Sequence, residues 1–166
     1  MARYLVVAHR TADSPMLLEK VRELIALDPD TDFVVLTPRR PITITEVAGG
    51  EHRTATHIAT QRAARTGRRL ESVGARVVAS RLGGFDPLRA IEEELKADEF
   101  GGVIVSTLPP RLSAWLRQDV PSKLRSRFPD LQVIHVIASS AFYLQAQPAR
   151  TGAARREGHD RRNTRL

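Results

Sequence analysis

The chain has no cysteine, which excludes disulfide bridges and thiolate catalysis. It also has no apolar run approaching the roughly 20 residues needed to span a bilayer. The segment after Met1-Ala2-Arg3-Tyr4 is apolar but short, and no small-residue cleavage site follows it, so a secretory leader is not expected. These absences together predict a cytosolic protein with no membrane association. Aromatic residues are scarce, at 5% of the chain with a single tryptophan. A Gly-x-Ser-x-Gly nucleophile elbow is missing. His52 and His57 are five apart, which puts them on different faces of a helix, with no carboxylate at ligand spacing. Surface histidines are therefore expected, with no metal. No pattern specifies a catalytic residue or a cofactor.

The 166 residues suit one domain with a core of its own. The formal net charge is +7. Residues 147–166 carry six arginines against one glutamate and one aspartate, a net of +4, which leaves +3 on the rest of the chain. The basic character is thus concentrated in the tail. That tail has no large apolar residue before Leu166 and is expected to be disordered. The predicted domain covers residues 1–146 and the tail covers 147–166.

The order of elements follows from periodicity. Leu5-Val6-Val7-Ala8 and Phe33-Val34-Val35-Leu36 are continuous apolar runs, as expected of strands buried on both faces. Between them Leu17, Leu18, Val21, Leu24 and Ile25 form a helical stripe. Pro15 suits a first helical position, with Asp13 or Ser14 available as a cap. Residues 38–53 are irregular, with Ile42 and Ile44 spaced for a short edge strand. Thr54 can cap a long helix to about Val73, whose inward positions are mostly small. Gly67 lies inside it. Val77-Val78-Ala79 predicts a third strand, and Asp86-Pro87 opens a helix with Leu88, Ile91 and Leu95 inward. Gly102 to Ser106 is a fourth strand. Leu112, Trp115 and Leu116 share a helix face that Pro121 interrupts. A short helix is then expected from Pro121 to Phe128, and Val133 to Ala138 is a fifth strand. Strands alternating with helices predict a doubly wound α/β domain with a five-stranded parallel sheet and right-handed crossovers.

In such sheets ligands bind beyond the carboxyl ends of the strands, where the strand order switches. That places Ala8 to Thr11, Thr37-Pro38, Arg81 with Gly83-Gly84, and Ser106-Thr107 around one candidate site. Helix N-termini there favour an anion.

Three stretches, Tyr4 to His9, Gly84-Phe85-Asp86-Pro87-Leu88, and Val105 to Phe128, give the chain a layout that resembles the universal stress protein family over roughly residues 4–138. The resemblance implies strand order 3-2-1-4-5 and a homodimer through strand five. In Gly84 to Leu88, Phe85 is an extra residue within the family's Gly-Asp-Pro segment. ATP-binding members of that family carry a Gly-x-x-Gly, nine residues, Gly-Ser/Thr pattern after strand four. Without gaps the pattern falls here on Val105, Leu108, Gln118 and Asp119. Three side chains replace the glycines that let backbone amides approach phosphates, and a carboxylate stands where a phosphate would lie. His9 replaces the family's first-strand acidic residue. ATP binding in the family's usual mode is therefore not expected.

The sequence reading is a non-enzymatic regulatory or binding domain that takes a small anion or nucleotide. His9 and Thr11 are expected to orient the ligand by hydrogen bonds. Arg10 and Arg111 are expected to supply charge, and Ser106 and Thr107 hydroxyls and backbone amides. Two other readings stand beside it. In the first, Arg62, Arg65, Arg68 and Arg69 form a basic helix face that works with the arginine tail on nucleic acid, although no aromatic residues interleave for base stacking. In the second, the same fold serves a nucleotide-using enzyme. Trp115 packs a helix on the sheet or stacks on a base. Glu92-Glu93-Glu94 reads as a solvated helix face. His135, which interrupts strand five, is either a dimer-interface residue or a core histidine with a satisfied partner.

Overall fold

The structure is a computed structural model that describes residues 2–39, 52–113 and 118–142. Five strands and four helices are described: β1 Arg3–Val7, α1 Pro15–Leu27, β2 Asp32–Thr37, α2 His52–Glu71, β3 Arg76–Leu82, α3 Pro87–Ala97, β4 Gly102–Thr107, α4 Val120–Arg127 and β5 Gln132–Ile137. The strands form one parallel sheet in the order β3-β2-β1-β4-β5, as the resemblance implied. Three predictions lie wholly or partly outside the described residues. They are the edge strand at Ile42 and Ile44, the Trp115 helix and the basic tail.

The central strands β1, β2 and β4 read as unbroken apolar runs because both of their faces are covered. On one face Leu17, Val21 and Leu24 of α1 and Leu70 of α2 pack on Val6, Phe33, Val35 and Ile104. On the other, Ala90 and Ile91 of α3 and Val120 and Leu124 of α4 pack on Leu5, Val7, Leu36, Val103 and Val105.

The structure departs from the sequence reading at several element ends. Ser14 sits at the N-cap of α1, but its side chain makes no capping bond. Asp13 turns away to Arg65 and Arg69 of α2. The described part of helix α2 runs His52–Glu71, so Thr54 lies inside it. Strand β3 is longer than Val77 to Ala79 and takes in Arg81, whose guanidinium bonds Glu94 on α3. Arg81 therefore does not belong to a loop at the candidate site. Asp86 caps α3, accepting from the amides of Leu88 at 3.0 Å and Arg89 at 3.3 Å. Glu92, Glu93 and Glu94 are not simply solvated, since each pairs with an arginine: Arg127, Arg89 and Arg81.

Candidate functional site

Strand order brings the ends of β1, β2 and β4 together, and their loops enclose a cleft of about 280 Å³. Its β1 side is made of His9, Arg10 and Thr11, and its β4 side of Ser106, Thr107 and Leu108. Five of the six expected residues therefore lie together: His9, Arg10, Thr11, Ser106 and Thr107. Arg111 is exposed on the turn after β4 and is not part of the lining. Pro38 and Arg39 from the end of β2, Phe85 and Pro87 from the β3–α3 loop, and Leu112, Ser113 and Gln118 complete the walls. Of these, only Pro38 stood among the residues that the carboxyl-end rule selected.

The geometry also assigns the hydroxyls. Thr11 is buried, and its hydroxyl donates to the carbonyl of Ser106 at 3.1 Å. It therefore ties the β1–α1 loop to β4 and does not face a ligand. The hydroxyl of Thr107 shares a 2.8 Å hydrogen bond with Nε2 of His135. Ser106 Oγ is buried and has no hydrogen-bond partner. An unmet buried hydroxyl costs about 1–3 kcal/mol.

The described residues after β4 depart from the ATP-binding pattern. Val105 is in the core, and Leu108 and Gln118 hold the cleft wall where the ATP-binding pattern has glycines. Pro109 and Pro110 have no amide hydrogen to offer. The amides of Leu112 and Ser113 both point back to the Pro109 carbonyl, at 2.8 and 3.1 Å. Asp119 adopts a left-handed conformation with φ 54° and leads into α4.

Opposite this segment, Arg39 is held in place from several directions. Its Nε donates to the Gly83 carbonyl at 3.0 Å, and its amide donates to the Gly84 carbonyl at 3.0 Å. Its guanidinium lies 5.0 Å from the centre of the exposed Phe85 ring, a cation–π contact. The sequence held one usable signal for this pair, the Phe85 inserted before Asp86-Pro87.

His135 is half-buried on β5 and has a hydrogen-bond partner in Thr107, in keeping with the reading of a satisfied histidine. Burial lowers its pKa below 6.5, and the nearby Arg125 adds to the effect. The folded protein therefore disfavours imidazolium, while the unfolded chain takes up a proton near 6.5. Stability from neutral His135 is full above pH 6.5 and is lost as pH falls through 6.5 toward the lower folded value. A series of urea denaturations from pH 7.5 to 5 should show wild-type stability falling more steeply than that of His135→Asn. Parallel slopes would contradict this.

The basic face of α2 is partly neutralised within the chain. Arg65 and Arg69 both bond the Asp13 carboxylate, at 2.6 and 2.7 Å. No group of histidine, aspartate or glutamate side chains able to hold a metal occurs among the described residues. Among the same residues, no helix is long and apolar enough to cross a membrane.

No protein-family model and no curated protein matches the chain. Solved structures do. A universal stress protein from Archaeoglobus fulgidus superposes with a TM-score of 0.57 at 13% identity, covering 82% of this chain and 93% of its own. One from Arabidopsis thaliana with AMP bound gives 0.55 at 11%, covering 86% and 95%. A universal stress protein in complex with cAMP gives 0.52 at 16%, covering 83% and 98%. At these identities the likeness establishes the fold, and the chain has the fold of the universal stress proteins.

Proposed function

We propose that this universal stress protein fold serves here as a non-enzymatic regulatory domain that binds an adenine mononucleotide or nucleoside in the cleft between β1, β2 and β4. The observation that carries the reading is the cleft itself. It lies at the switch in strand order where open parallel sheets take ligands, and it combines apolar walls with the end of β4 at Ser106 and Thr107 and the arginines Arg10 and Arg39. Solved neighbours of the same fold hold AMP and cAMP, which supports the ligand class. The loop after β4 argues against ATP held by backbone amides, because Pro109 and Pro110 lack the donors and the amides of Leu112 and Ser113 are occupied by the Pro109 carbonyl. A homodimer through the open edge of β5 belongs to the same reading. The exposed Ile137 on that strand supports it.

Thermal-shift titrations with AMP, cAMP, adenosine and ATP, with and without magnesium, test the reading. A ligand at about 100 times its dissociation constant should add roughly 2.7 kcal/mol of stability. A saturable rise in melting temperature with AMP or adenosine is the expected result. If no adenine compound shifts the transition, the reading is wrong.

A further inference from the structure

Two of the exposed large apolar side chains of this protein, Phe85 and Leu112, line the same cleft. They arrive from opposite sides, Phe85 on the loop after β3 and Leu112 on the turn after β4. Phe85 is 45% exposed and Leu112 43%, so each leaves much of its surface in water. Such exposure on a single side chain is ordinary. Here, however, both side chains line one concave mouth, and one of them already has a guanidinium laid over its ring.

That guanidinium is not a loosely placed surface charge. The Gly83 carbonyl fixes Arg39 Nε at 3.0 Å, and the Gly84 carbonyl fixes its backbone at 3.0 Å. The Nε bond and the Phe85 contact favour one placement of the exposed Arg39 guanidinium before any ligand arrives, which lowers the ordering cost of binding. The Phe85 ring and a fixed guanidinium are both flat, polarisable surfaces of the kind on which nucleobases stack. Phe85 also lines a neighbouring depression that includes Lys123 and Gln118, so the ring stands on the ridge between two hollows.

We infer that Phe85 and Arg39 form the base-stacking platform of this cleft, with Leu112 as the facing lip, and that the site selects a planar purine-type ring on a ribose bearing at most one phosphate. This rests on the proposed nucleotide-binding function and adds to it the specificity-determining residues and the limit on phosphate number. The ring-binding surface lies on the β2–β3 side. The β4 side meets the rest of the ligand with Ser106 and Leu108, and among the described residues that follow, Pro109 and Pro110 carry no amide hydrogen while the amides of Leu112 and Ser113 are taken by the Pro109 carbonyl, which disfavours a second or third phosphate. Stacking tolerates a change of ring substituent more readily than loss of the ring, so affinity should follow the presence of an aromatic side chain at position 85.

The test is isothermal titration of the full-length protein with adenosine, AMP and ATP, using wild type, Phe85→Leu and Phe85→Tyr. Thermal melts without ligand confirm that each variant is folded. Phe85→Leu keeps an apolar side chain and removes the ring. It should weaken adenosine and AMP about tenfold or more, while Phe85→Tyr should stay within about threefold of wild type. ATP should bind no more tightly than AMP. Wild-type affinity for AMP in Phe85→Leu would overturn the platform and leave the nucleotide-binding function standing. ATP binding more than tenfold tighter than AMP would overturn the phosphate limit. Absence of binding by the wild type to all three ligands would overturn the underlying function and the platform with it.

Discussion

Phe33→Ala should cost the fold about 3–5 kcal/mol, the usual range for emptying a buried phenyl site. Phe33 is fully buried between the sheet and helices α1 and α2. Its ring stacks on Tyr4 of the neighbouring strand, with centroids 6.3 Å apart and planes at 27°, and Tyr4 in turn donates to Gln132 of β5 at 2.9 Å. Tyr4 is thus fixed between the Phe33 ring and β5, so relaxation into the vacated space is limited and the cost belongs in the upper part of that range. A domain of this size is stable by only about 5–15 kcal/mol. Urea denaturation should show the midpoint falling with an unchanged slope. A loss below about 1 kcal/mol would mean that the ring is not packed as described.

Gly83→Val should be the second severe substitution, and it should damage the cleft as well as the fold. A Cβ at position 83 would lie 2.7 Å from Ala90 Cβ, 3.3 Å from Leu36 Cδ1 and 3.5 Å from Pro38 Cα. The 3.5 Å to Pro38 is ordinary contact, but Ala90 Cβ cannot swing aside as the end of a long side chain can. Helix α3 or the Gly83 backbone must move, at a cost of about 1–3 kcal/mol or more. Gly83 also donates its amide to the Thr37 carbonyl at 3.0 Å and accepts from Arg39. Displacing it unseats Pro38 and Arg39 together, so ligand affinity should fall along with stability. Gly84→Ala is the matched control. A Cβ there meets nothing within 4 Å, and the change should stay within about 0.5 kcal/mol. Equal melting temperatures for Gly83→Val and Gly84→Ala would refute the close approach.

Strand β3 shows where local pattern misleads. Val77-Val78-Ala79 looks like a strand buried on both faces, yet Val78 is 48% exposed. Between Phe33 and Val34 the pairing with β3 jumps from Val77 to Ala79, so Val78 is the extra residue of a bulge. Bulges twist an edge strand and blunt its tendency to pair with another chain. An apolar run cannot reveal a bulge, because the irregularity exists only in the register with a neighbour.

The sequence by itself determined the layered α/β architecture, since buried parallel strands must be apolar throughout and crossover helices must carry an apolar stripe. It also placed His9, Arg10, Thr11, Ser106 and Thr107 at one end of the sheet, because they follow directly on β1 or end β4. Tertiary structure decided what those residues do. It spent the hydroxyls of Thr11 and Thr107 within the fold and left that of Ser106 unmet. It kept Arg111 out of the cleft and drew Asp13 from the helix cap to the α2 arginines. It also brought Arg39, Phe85 and Leu112 to one mouth. The physical reason is that periodicity records how each segment meets water. The meeting of loops 46 and 27 residues apart in the chain is set by strand order and register, which no local segment encodes.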